Sequence, residues 1–185
     1  QASLEKIRSA SGTAVRFAHS SKSKRVSFLL AKIDSVELSE VARAVLEAGI
    51  LANYSFEKYK TKPDEKKGLL QEIELVGDFS DGQKNALLET FLVCSNANIA
   101  RDLVNDNSKL VTPVFLAEQA KKTAKKAGLK VRVFDEVDLK KMKMNCFLAV
   151  SQANISPPRL VVLEWNGNVS EKERIVLVGK GVCFD

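Results

Sequence analysis

Two side chains close to the end of the sequence have types and a spacing that could do chemistry. Lys180 stands between Gly179 and Gly181, and Asp185 follows five residues later. They come directly after Ile175-Val-Leu-Val178, a short apolar run of the kind that a parallel sheet buries on both faces. The pattern predicts a strand that opens into a site. Residues five apart on an ideal strand point to opposite faces, so Lys180 and Asp185 converge only if the chain bends. The two glycines are read as that bend.

Several chemistries are excluded. A phosphate loop needs Gly-x-x-x-x-Gly-Lys-Ser/Thr, whereas here Gly181 follows the lysine and no glycine precedes Gly179 at the required spacing. The dinucleotide fingerprint fails because Phe184 occupies the place of its third glycine. A Ser-His-Asp triad would have to recruit His19, the sole histidine, from the other end of the chain, and there is no nucleophile elbow. His19 itself reads as a helix-end residue with nothing near it in the sequence to orient it.

A metal site remains. Carboxylate oxygen suits zinc, manganese or magnesium. A lysine amine coordinates only after losing its proton, against an ordinary pKa of about 10.4. Adjacent dications favour that loss by penalising the ammonium form. On spacing alone this reading is the weaker one, since a strand-end lysine paired with a nearby acid accounts for the same residues. Two ligands also fall short, because a single zinc normally takes about four.

The elements that must position these residues come from the rest of the chain. Its 185 residues, 45% of them apolar, suffice for one good core or two small domains. No window reaches the apolar length of a membrane span. The start, Gln1-Ala-Ser-Leu-Glu, has no signal-peptide profile, and a chain that begins within a helical pattern and stops just after a strand reads as an internal fragment. Cys94, Cys146 and Cys183 are odd in number and form no Cys-x-x-Cys pair, which argues against a disulfide framework and for a reducing compartment. The three glycosylation sequons are read as chance.

Charge is concentrated. Residues 121–143 hold nine basic residues and three acids, a surplus equal to the net +6 of the whole chain. A patch of this kind could attract nucleic acid or another polyanion. The segment has one arginine and a single aromatic, Phe134, so a solvated lysine face is the favoured reading.

Along the chain, residues 3–19 carry a helical pattern interrupted at Ser11-Gly12. A strand is predicted over 26–31, then a helix opened by Asp34 and Glu37 and running to about Tyr59, with Ala42, Ala44, Ala48, Gly49 and Ala52 letting it lie close to a sheet. Residues 70–77 alternate as a half-exposed strand. Helix, strand, helix, strand in that order implies crossover connections and a parallel or mixed α/β sheet. From Ser80 a helix longer than twenty residues, with Leu87, Leu88, Phe91, Leu92, Ile99, Leu103 and Val104 as its apolar stripe, suits a connector between domains. Thr112-Pro113 starts the next helix and Gly128 stops it. Residues 129–135 form a strand. Asp135 caps a short helix whose apolar side is assigned to Met142 and Met144, and Cys146–Val150 is apolar but of open type. Pro157-Pro158 leads into a strand over 160–165, and Asn166-Gly167 marks a turn.

Val178-Gly-Lys-Gly-Val-Cys-Phe-Asp185 resembles the metal-binding signature of the leucyl (cytosol) aminopeptidase family, Val-Gly-Lys-Gly-Thr/Leu/Val-Thr-Phe-Asp followed by Ser-Gly-Gly. Arg101-Asp-Leu-Val-Asn-Asp-Asn-Ser-Lys-Leu-Val-Thr-Pro113 resembles the family's domain-entry segment. Residues 144–167 resemble its approach to the first metal ligands. The resemblance covers about Leu70 to Asp185. It implies an α/β chain holding part of an N-terminal macro-domain-like α/β domain (1–79), a long linker helix and domain entry (80–110), and the start of an α/β/α zinc-peptidase-type catalytic domain (111–185). It implies Lys180 as ligand of one metal and Asp185 as ligand at the paired site, with zinc, manganese or magnesium as the two ions. The implied function is release of N-terminal residues, leucine preferred, from peptides by a cytoplasmic, hexameric metallo-aminopeptidase. The catalytic residues are expected downstream of Asp185, so the isolated chain is expected to be inactive. Cys183 departs from the usual Thr, and Asn145 and Asn154 replace small residues. The alternatives are a non-catalytic interaction or nucleic-acid-binding module using 121–143, and an inactive assembly subunit of the same family.

Overall fold

The computed structural model describes residues 3–31, 33, 36–62, 68–167, 170 and 173–183. The chain divides into two compact units, residues 1–105 and 106–185.

Unit 1 is a strand-helix-strand crossover with two further helices. Helix α1 (Leu4–Ser20) is capped by Ser3, whose side chain accepts from the Lys6 amide at 3.3 Å. The expected interruption at Ser11-Gly12 does not occur. Both residues are buried within the helix, and a Cβ on Gly12 would lie 3.7 Å from that of Ala52. Small residues here serve close helix approach rather than a break. Strands β1 (Arg25–Leu29) and β2 (Glu72–Val76) pair in parallel, Arg25 opposite Glu72 and Leu29 opposite Val76. The crossover between them contains α2 (Leu38–Ala52). Their alternation sorts one face inward: Val26, Phe28 and Ile73 pack with Val15, Ala18, Ala52 and Leu70. The other face carries charge-assisted pairs, Arg25 with Glu72 and Ser27 with Glu74.

Helix α2 buries Val41, Ala42, Ala44, Val45 and Gly49. A Cβ on Gly49 would stand 3.1 Å from Ile73 Cδ1, so glycine is what lets the helix sit this close to β2. Of the expected capping pair, Asp34 lies outside the described residues, and Glu37 is the N-cap without a side-chain bond. The helix stops at Ala52 and not near Tyr59, because Asn53 turns its side chain onto another segment: it accepts from Leu70 N at 2.9 Å and donates to Leu70 O at 3.0 Å. Helix α3 (Asp81–Asn105) begins with reciprocal bonds between Ser80 and Gln83. It buries Thr90 and Cys94, the former accepting from Arg43 of α2 at 3.1 Å. The apolar stripe assigned from the sequence is packed only in part, with Leu87 and Leu103 half-buried. Leu88, Phe91, Leu92, Ile99 and Val104 are exposed, one face round from the smaller residues that touch α2.

Unit 2 opens with α4 (Pro113–Ala127), capped by Thr112 and closed by Gly128 in the left-handed conformation at φ 67°. Strands β3 (Lys130–Phe134) and β4 (Leu160–Glu164) pair antiparallel, Lys130 opposite Glu164. Between them lie α5 (Glu136–Lys141), held by a full capping box between Asp135 and Asp138, and α6 (Asn145–Ser151), which settles the open Cys146–Val150 segment as helix. Leu139, fully buried, fills the apolar side of α5; Met142 is exposed, because the helix closes before its side chain reaches that face.

Candidate metal centre

Lys180 sits in residues 173–183, a stretch without regular secondary structure, and is exposed. The expected buried strand does not form. Ile175, Val176, Leu177 and Val178 are 93%, 75%, 94% and 92% exposed. Such a run becomes a strand only by pairing with a sheet edge and being covered on both faces, and among the described residues β4 pairs with β3 alone. Gly179 and Gly181 adopt no left-handed backbone, and a Cβ on either would meet nothing within 4 Å. Neither position demands glycine for backbone conformation or for space within the described residues. Asp185 lies outside the described residues.

Cys183 is partly buried, and burial pushes its thiol above the ordinary value. Among the described residues no group of three His, Cys, Asp or Glu side chains comes together as a metal site. Donor number decides the point: an exposed lysine and a single carboxylate do not make the four-ligand shell that one zinc wants. The described residues by themselves do not fit a pair of metal ions.

His19 ends α1 with its Nε2 at 2.9 Å from Asn53 Oδ1, so a partner does orient it. The basic segment spreads over α4, β3 and α5 as exposed side chains, and part of it is paired locally: Lys121 with Glu118 at 2.7 Å, Lys140 with Glu136 at 2.6 Å, Arg132 with Glu164. The hydrogen bond from Lys121 lowers the carboxyl pKa of Glu118. Among the described residues no helix is long and apolar enough to cross a membrane.

A cluster that the sequence did not announce lies at the far end of α3, beside a groove of about 440 Å³. The Tyr54 hydroxyl donates to Asp102 at 2.8 Å and accepts from Asn105 at 2.9 Å, while the Arg101 guanidinium lies 3.9 Å over the Tyr54 ring. Partial burial raises the Tyr54 pKa, opposed by the Asn105 bond. The residues are 47 to 51 positions apart and carry no short-range pattern, so only folding reveals them.

Two family descriptions match the chain in order. The N-terminal domain of the cytosol aminopeptidase family matches residues 1–63, and the catalytic domain of the same family matches residues 98–185. The chain belongs to the cytosol aminopeptidase family. A probable cytosol aminopeptidase of Geobacter sp. (strain M21) is 32% identical over 183 residues, covering 98% of this chain and 37% of that relative. A mutant tomato leucine aminopeptidase superposes with a TM-score of 0.78 at 26% identity, over 88% of this chain and 33% of the other. The bottromycin maturation enzyme BotP in complex with Mn superposes with a TM-score of 0.75 at 26% identity, over 88% and 33%. The first curated relatives are spanned over only 29% to 37% of their length. As a member of the cytosol aminopeptidase family, the chain places Lys180 within the part matched to the catalytic domain.

Proposed function

We propose that this sequence works as the middle of a metal-dependent aminopeptidase of its relatives' length, which releases N-terminal residues, leucine preferred, from peptides. Residues 1–79 supply the later part of an N-terminal domain, 80–110 the linker helix and domain entry, and 111–185 the first part of the catalytic domain. The observation that carries the reading is the order of the two family matches, N-terminal domain before catalytic domain, on one continuous chain. Lys180 and Asp185 are the chain's contribution to a centre of two divalent ions, zinc, manganese or magnesium. The remaining donors are expected from the rest of the longer protein, since this chain spans 37% of the Geobacter relative. The Mn complex of BotP supports a divalent ion in the family. A cytoplasmic homo-hexamer is the assembly we expect of that longer protein.

The test joins this sequence to the segment its relatives carry beyond the matched part and assays hydrolysis of leucine amide with added manganese. The joined protein is expected to be active, and Lys180→Ala to lose at least about a hundredfold together with metal content, a loss at the upper end of those seen for disturbed metal sites. The 185-residue chain alone is expected to be inactive. A joined, folded protein that is inert with zinc, manganese and magnesium sinks the reading. Manganese-dependent turnover by the 185-residue chain, abolished by Lys180→Ala, would overturn the claim that its donors are incomplete.

A further inference from the structure

Helix α2 ends without the usual devices. Its last turn carries no basic residue, and its C-cap is Asn53 at φ −77° where a left-handed glycine would often stand. The last four carbonyls of any helix need partners from outside it. Two of those on α2 are met from α3. Asn98 Nδ2 donates to Ile50 O at 3.3 Å, and Arg101 Nη1 donates to Leu51 O at 2.9 Å. The same Arg101 nitrogen also reaches Asn98 Oδ1 at 3.0 Å, so the two capping side chains hold one another.

Tyr54 then ties the final turn. Its ring is the platform under the Arg101 guanidinium, and its hydroxyl joins Asp102 and Asn105. Past Asn105 the character of the bonding changes. Asn107 accepts from the Lys109 amide through its side chain and from the Leu110 and Val111 amides through its carbonyl, and Thr112 N donates to Leu110 O. These bonds close a turn upon itself.

We propose that Tyr54, Asn98, Arg101, Asp102 and Asn105 form a clamp that makes α3 one body with unit 1 up to its last turn. Neighbouring parts of α3 need such help, since its outward residues are exposed and its buried contacts with α2 are centred on Thr90 and Cys94. The clamp stands independently of the proposed enzymatic activity.

Amide hydrogen exchange on this chain, read by mass spectrometry, tests it. Amides of 98–105 and 51–54 are expected to exchange far more slowly than those of the junction 106–110. Arg101→Ala is expected to speed exchange about tenfold in those two segments, the effect of losing charged hydrogen bonds, and to leave α1 and residues 85–94 as they were. Tyr54→Phe keeps the ring beneath the guanidinium but removes the hydroxyl, so it should speed exchange at 102–105 alone. Three results overturn the proposal: exchange at 98–105 as fast as at the junction, no change on Arg101→Ala, or an equal acceleration across α1, α2 and α3. Tyr54→Phe keeps the test decisive if Arg101→Ala fails to fold.

Discussion

Three helices close with the same bond pattern but with different residues in the left-handed position. Gly128 follows α4 at φ 67°, with Leu129 N bonded to Ala124 O. Lys22 and Lys143 occupy the equivalent place after α1 and α5, both at φ 55°, with Ser23 N bonded to Ala18 O and Met144 N to Leu139 O. A Cβ in this region crowds the following carbonyl, at a cost of roughly 1–2 kcal/mol. Glycine avoids that cost but loses more chain entropy on folding. Lys22→Gly and Lys143→Gly are therefore expected to stabilise their units by about 0.5–1 kcal/mol, and Gly128→Ala to destabilise by about 1 kcal/mol. Urea midpoints measure all three, and a lower midpoint for Lys22→Gly contradicts the strain argument. A second prediction concerns Asp135. The Asp138 amide, bonded to its carboxylate at 3.0 Å, lowers its pKa most; burial opposes, and the Val137 amide at 2.8 Å adds to the lowering. A depressed carboxyl contributes stability that is fully present above its unfolded value, about 3.9, and is lost as pH falls through the folded value. The α5 cap should thus weaken below about pH 4. Asp135→Asn, which caps without titrating, should flatten that acid limb in a pH series of helix content. An unchanged limb would show that Asp135 is not its source.

Elements with local signals were legible in the sequence, and elements that need a distant partner were not. Thr112-Pro113 and Gly128 bracket α4 because capping chemistry is carried by the residues at the ends themselves. Ser11-Gly12 misled for the same reason: small residues read locally as a break, yet their use is the contact with Ala52 of another helix. In the terminal segment, residue types and the family signature could be read, but geometry could not. Strand formation at 175–178 depends on a sheet edge that no local pattern supplies. The apolar run is therefore bare, and a bare β-prone run invites pairing between chains. Leu177→Lys is expected to leave the urea midpoint of this chain within about 0.5 kcal/mol, as substitutions at exposed positions do. It should also reduce concentration-dependent association in sedimentation. A large loss of stability would mean that Leu177 is packed in the folded chain.

Over the whole chain, the division at Asn105 assigns buried apolar residues to each of two units. Val15, Ala18 and Leu70 anchor the first; Val111, Ala117, Ala124 and Leu139 belong to the second. Chains with separate cores are the common exception to all-or-none unfolding. Calorimetry is thus expected to resolve two transitions, and core truncations to shift them selectively. Val15 is fully buried, and its replacement by Ala removes two methyl groups' worth of contact and leaves a void, about 2 kcal/mol in all. Leu139, also fully buried, loses more on truncation, about 3 kcal/mol. In units of roughly 80 to 105 residues, each kcal/mol moves a midpoint by about 4–8 °C. Val15→Ala should therefore lower one transition by about 10 °C and leave the other in place, and Leu139→Ala should do the reverse by a larger margin. A single transition that both substitutions move together would show that the two units fold as one.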